Sequence, residues 1–266
     1  MTTLWRKMNN LRTKTAFVTG GAQGIGKGIV LTLAAAGANI VIGDLDQAKA
    51  EAVVAEVKKL GVDAIALALD ITNTDSISDC IQQALKHFAC IDILVNNAGV
   101  VAERGGVALT EQVFDRTLDV NLKGVWRVSA ALIPHFKTNH NGKIINIASI
   151  NGRQVDARLP GYSASKAAVI SLTQSLAVSL GADNITVNAV CPGGVWTPMA
   201  EAFIKDSGLD PENGKQAHLD GNKNIGALKR NVEPEDIGHA VVFFASSQAK
   251  NITGQALNVD GGYVMS

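Results

Sequence analysis

The chain reads as an α/β protein: a single domain in which a doubly wound, seven-stranded parallel sheet is flanked by helices on both faces. Three observations predict this. Short β-branched or apolar runs alternate with longer helix-period segments along nearly all of the 266 residues. Parallel neighbours need crossover connections, and helices supply them. Most of the runs are almost continuously apolar, as strands covered on both faces are. No Pro-, Gly- or Ser-rich linker, repeat or low-complexity tract divides the chain, and a 47% hydrophobic composition is enough for one large core.

Strands are expected at residues 15–19, 39–43, 64–69, 91–95, 143–148, 186–190 and 256–259. Helices are expected at 24–36, 47–60, 74–88, 111–136, 162–180 and 234–246. The last of these opens well, because Pro234 suits a first helical turn and Glu235 and Asp236 suit the positive end of its dipole. Residues 1–13 read as an N-terminal extension and 14–266 as the domain. Within it, residues 196–232 are rich in Gly, Asn, Asp and Lys. A polar stretch of that length inside a compact domain is expected to cover a substrate.

Composition excludes several classes. Lys plus Arg equals Asp plus Glu at 24 each, so nothing draws the chain to nucleic acid or an anionic membrane. Cys80, Cys90 and Cys191 are scattered, as are the five histidines; they suggest reduced thiols and no metal site. The N-terminus lacks the apolar run of a signal peptide, and no stretch approaches the roughly 18 apolar residues of a membrane span. A cytoplasmic location is expected.

The first strand runs into Thr19-Gly20-Gly21-Ala22-Gln23-Gly24-Ile25-Gly26, which opens a helix. Glycines there permit a tight turn and close backbone approach to a pyrophosphate seated on helix N–H groups. Gly20, Gln23, Gly24, Ile25 and Gly26 are therefore candidate dinucleotide contacts, and the fold is of Rossmann type. Asp44 ends the second strand, 18 residues past Gly26, near the spacing of an acid that bonds a ribose diol. Its charge would repel the extra phosphate of NADP, and neither Gln23 nor Leu45 offsets it; NAD(H) is the expected cofactor. Asp70, Ile71, Asn97, Ala98 and Gly99 follow later strands and should border the same ligand.

Tyr162 and Lys166 stand four apart, so on one helix they share a face. A phenol titrates near about 10, and an adjacent ammonium favours the phenolate. Tyr162 could then exchange a proton with an alcohol or ketone while hydride moves to or from the cofactor. Ser149, just past the fifth strand, could orient the reacting oxygen. No Gly-x-Ser-x-Gly elbow surrounds Ser149, which excludes a serine hydrolase of that kind.

These residues resemble the classical short-chain dehydrogenases/reductases. The matching motifs are Thr19-x-x-x-x-Gly24-x-Gly26 with Gly20, Asp70, Asn96-Asn97-Ala98-Gly99, Asn121, Ser149, Tyr162-x-x-x-Lys166, and Pro192-Gly193 with Thr197, in family order from about residue 14 to the end. The resemblance implies further roles. Lys166 would also bond the nicotinamide ribose, and Asn121 would hold a water in a proton relay behind it. Asp70 and Ile71 would flank adenine, and Asn97 would approach the adenosine-side ribose. Pro192, Gly193, Val195 and Thr197 would seat the nicotinamide. It also implies a homodimer or homotetramer, with the small-residue face Ala164, Ala167, Ala168, Ser171 and Leu172 suited to helix contact.

The substrate is less legible. Candidates near the site are residues 101–104, 150–154, Ala157 and Leu159; Asn151, Gln154 and Glu103 could bond hydroxyls, and Trp196 and Met199 offer apolar walls. The leading expectation is an NAD-dependent oxidoreductase of secondary alcohols, diols, polyols or cyclic alcohols. The alternative is a 3-oxoacyl-carrier-protein reductase using NADPH. A cofactor-binding regulator without turnover is a third, disfavoured by the complete Asn121, Ser149, Tyr162 and Lys166 set.

Overall fold

The computed structural model describes residues 11–101, 105–205 and 210–265. Seven strands form one sheet: β1 (Thr15–Thr19), β2 (Asn39–Asp44), β3 (Ala64–Ala68), β4 (Ile93–Asn96), β5 (Gly142–Ile147), β6 (Ile185–Pro192) and β7 (Ala256–Val259). Every pairing is parallel, in the order β3-β2-β1-β4-β5-β6-β7. The order reverses between β1 and β4, which opens a crevice beyond their carboxyl ends.

Alternation along β1 divides the core. Ala16 and Val18 enter one buried cluster and Phe17 the other. The first cluster is covered by α1 (Gly24–Ala35), α2 (Gln47–Lys58) and α9 (Pro234–Ala245); the second by α3 (Thr74–Phe88), α5 (Val125–Thr138) and α6 (Pro160–Leu180). Leu11, within the stretch read as an extension, is buried in the first cluster, and its amide donates to the Ala36 carbonyl at 3.0 Å.

Two segments differ from expectation. The helix expected over 111–136 is α4 (Glu111–Leu118), a π-helical turn (Asp119–Gly124) and then α5. The wider turn follows from Asn121: its amide oxygen accepts the Val100 N–H and its amide nitrogen donates to the Val100 carbonyl, each at 2.8 Å. One residue is thus pulled out of α-helical step to hold the loop after β4, and π turns of this kind concentrate at functional sites.

The covering segment, where no helix is expected from the sequence, contains α7 (Pro198–Lys205) and α8 (Pro211–Ile225). Each starts on proline behind a capping side chain. Thr197 Oγ1 accepts the Ala200 amide at 3.2 Å, and Asp210 accepts the Asn213 amide at 3.0 Å. The ends of the cover are pinned: Val195 bridges Val232, and the Leu228 amide donates to the Gly261 carbonyl at 2.9 Å.

Candidate active site

The turn from β1 to α1 is built for close approach. Gly20 has φ +66°, and a Cβ there would lie 2.9 Å from the Ala98 Cα. A Cβ on Gly26 would fall 1.9 Å from the Gly20 carbonyl oxygen. Gln23, at the N-cap of α1, makes no side-chain cap bond, and the first turn carries no acid. The positive end of α1 is thus left for an anion.

Neighbouring strands lock this turn. Thr19 Oγ1 accepts the amides of Asn97 and Ala98 at 3.0 Å each, and the Asn97 side-chain nitrogen donates to the carbonyls of Thr19 (3.0 Å) and Gly20 (2.8 Å). The Asn97 amide, expected to approach a ribose, spends its donors on the turn. Asp44 accepts the Ala22 amide on one oxygen and the Asp46 amide on the other, each at 3.0 Å, and the residue borders the crevice. Asp70 accepts the amide and hydroxyl of Thr72 at 2.8 and 2.7 Å, and these bonds hold its carboxyl below the usual range.

These groups line one cleft of about 1190 Å³ along the carboxyl ends of the strands. It is bordered by Gly20, Gln23, Gly24, Ile25, Gly26, Asp44, Asp70, Ile71, Asn97, Ala98 and Gly99 on one side, and by Ser149, Asn151, Tyr162, Lys166, Pro192, Gly193, Val195 and Thr197 on the other. An uncapped helix terminus, a glycine turn with no room for Cβ atoms and an acid at the end of β2 together fit a dinucleotide.

Tyr162 and Lys166 share one face of α6, with the Lys166 ammonium 5.7 Å from the phenol ring centre. The Ser149 hydroxyl accepts the Asn151 amide at 3.1 Å, and its proximity to the Tyr162 phenol favours the phenolate. Lys166 is buried, and its Nζ donates to the Ile147 carbonyl at 2.9 Å. Burial dominates both titrations. It pushes Tyr162 above its ordinary value despite the nearby Ser149 hydroxyl, and it brings Lys166 down to about 8. The expected lowering of the phenol by its cationic neighbour does not appear; desolvation drives both groups toward neutrality. Asn121 is fully buried behind them; besides Val100 it donates to Ser165 Oγ at 3.2 Å.

Two expected substrate residues are absent from the cleft lining. Gln154 is exposed and donates to the Tyr263 hydroxyl at 3.1 Å. Trp196 turns its ring against His218, with centroids 5.4 Å apart. Neither orientation is encoded in local spacing. Glu103 and its neighbours 102–104 lie outside the described residues. The structure adds lining residues that sequence reasoning missed: Asp156, Arg158, Ile204, His218, Asn222, Ile225 and Tyr263. The prolines that start α7 and α8 were the available signal for the helical cover. Among the described residues no group of three metal-ligating side chains occurs, and no helix is long and apolar enough to cross a membrane.

The chain is similar over nearly its whole length to known reductases. Residues 20–264 match the family model described as enoyl-(acyl carrier protein) reductase. The chain is 34% identical over 255 residues to the 3-oxoacyl-[acyl-carrier-protein] reductase FabG of Thermotoga maritima, covering 96% of this chain and 99% of that one. A solved 3-ketoacyl-(acyl-carrier-protein) reductase from Brucella melitensis, complexed with NADH, superposes with a TM-score of 0.86 at 34% identity, over 96% of this chain and 100% of the other. Levodione reductase superposes with a TM-score of 0.89 at 28% identity, over 94% and 97%.

Proposed function

Because the chain belongs to the classical short-chain dehydrogenase/reductase family of oxidoreductases, we propose that it interconverts a secondary alcohol and its ketone with NAD(H), using Tyr162 as general acid and base. The observation that carries this reading is the convergence of Ser149, Tyr162 and Lys166, the last two one turn apart on the same helix face, on the lining of a cleft that fits a dinucleotide.

Gly20, Gln23, Gly24, Ile25 and Gly26 would hold the pyrophosphate, Asp44 the adenosine ribose, and Pro192, Gly193, Val195 and Thr197 the nicotinamide end. When bound, the dinucleotide supplies the hydride donor or acceptor. Ser149 orients the substrate oxygen. Tyr162, held above its ordinary value, keeps its proton at neutral pH and can give it to a ketone oxygen; in the reverse direction it takes the alcohol proton. Lys166 steadies the phenolate formed in reduction, and Asn121 fixes the Val100 loop beside it.

The preference for NAD over NADP is supported by the surroundings of Asp44. Leu45 is exposed and uncharged, Lys27 pairs with Glu56 at 2.8 Å, and Lys49 pairs with Asp46 at 2.8 Å. A homodimer or homotetramer is supported by the exposure of Ala164, Ala167 and Ser171 on α6. The names of the relatives favour a second reading, reduction of 3-oxoacyl carriers.

Tyr162→Phe tests the first reading. It removes one oxygen from the proton path, so turnover should fall by about 10²–10⁴-fold. NADH affinity and the melting temperature should stay close to wild type. Undiminished turnover would sink the assignment. Turnover of a 3-oxoacyl thioester with NADPH, and of nothing with NADH, would establish the second reading instead.

A further inference from the structure

Ser149 sits where the chain leaves the sheet and runs out toward solvent. β5 ends at Ile147, and Ser149 then opens a short 3-10 turn, Ile150–Gly152. The turn closes on itself. The Ser149 carbonyl accepts the Gly152 amide at 3.0 Å, and the Ile150 carbonyl accepts the amides of Arg153 and Gln154 at 2.9 and 2.8 Å. It also lies flush on α6: a Cβ on Gly152 would fall 2.8 Å from the Lys166 carbonyl, so the turn meets the helix that carries Tyr162 backbone to backbone. Immediately beyond, Gln154, Val155, Ala157 and Arg158 are exposed.

Arg153 stands at that boundary and is half-buried. Its guanidinium donates to the Ala256 carbonyl of β7. It also lies close to the Cys191 thiol on β6, which the Ser149 backbone amide approaches as well; burial pushes that thiol up, and both groups pull against the rise. Ser149 and Arg153 thus converge on one fully buried sulfur, and Arg153 carries the link on to the edge strand β7. A guanidinium suits this place, because its donors are set in a rigid planar fork that can serve two acceptors at once. Such a fastening matters, because a displacement of about 1 Å in a reacting group can cost about 100-fold in rate.

We propose that Arg153 is a positioning residue: by tying the Ser149 turn to β6 and β7 it holds the Ser149 hydroxyl in register with Tyr162 and isolates it from motion of the exposed loop beyond. This rests on the oxidoreductase reading above and deepens it. Arg153 is not part of the cleft lining, so it acts through Ser149 and not on a ligand.

Two readouts test it. Amide hydrogen exchange needs no substrate: in Arg153→Met, exchange across residues 149–154 should speed up at least about tenfold, while the amides of β1 and α6 keep wild-type rates. Reduction of cyclohexanone and of ethyl acetoacetate, with NADH or NADPH, is the second. Arg153→Met should lower kcat by about 10–100-fold, with NADH affinity changed by less than about threefold. Arg153→Lys, which keeps a charge and a donor, should recover part of kcat. In a Ser149→Ala background the same Arg153→Met change should cost less than about threefold, because the group it positions is already gone. If Arg153→Met does not fold, Arg153→Gln carries the same comparisons. Unchanged exchange at 149–154, unchanged kcat, or an equal loss with and without Ser149 overturns the proposal. A wild type that reduces neither ketone with either cofactor sinks the oxidoreductase reading, and this proposal falls with it whatever the exchange shows.

Discussion

Replacing Lys166 by Met removes a buried amine whose protonation opposes folding. Burial brings its pKa from 10.5 to about 8. The folded chain therefore releases this proton near pH 8, whereas the unfolded chain keeps it to about 10.5. Between those values the unfolded state binds more protons, so stability rises with pH across that window. Below it the penalty of burying the ammonium is fully present; above it the penalty is gone. Between about pH 7 and about pH 9.5 this one group changes the folding constant roughly 30-fold, about 2 kcal/mol. The Ile147 carbonyl loses its partner in the variant at every pH, so that cost cancels in the comparison. Tyr162 and the buried Cys80, pushed up to about 12, titrate in both proteins and cancel too. Urea unfolding followed by circular dichroism at the two pH values gives the test. Wild type should gain about 2 kcal/mol more than Lys166→Met on going to the higher pH. Equal pH responses would mean that Lys166 does not pay a burial penalty, and the account of the site's electrostatics would fail.

Gly26→Ala puts a methyl 1.9 Å from the Gly20 carbonyl oxygen, where only backbone could yield; NADH affinity, read by fluorescence titration, should fall more than about tenfold, together with the melting temperature. Asp44→Ala strips acceptors from the Ala22 and Asp46 amides and should destabilise by about 1–3 kcal/mol in urea unfolding. Asp44→Asn combined with Leu45→Arg keeps one acceptor and adds a cation; its NADPH-to-NADH ratio of kcat/KM should rise at least about tenfold, and an unchanged ratio would place cofactor discrimination elsewhere.

Much of this protein was legible in one dimension. Continuous apolar runs such as that of β1, glycines at 20, 24 and 26, and the four-residue step from Tyr162 to Lys166 each act through local geometry, so the sheet, the turn and the shared helix face follow from spacing. Tertiary structure decided the rest. The π turn at Asp119–Gly124 exists because Asn121 reaches a loop 21 residues earlier. Gln154 turns to Tyr263 in the C-terminal tail, 109 residues on, and Trp196 turns to α8. The titration of Tyr162 and Lys166 is set chiefly by how much water the whole fold removes from them, and not by the partner four residues away. Sequence spacing governs which groups meet along one element; solvent exclusion and long-range contacts exist only after the elements have packed.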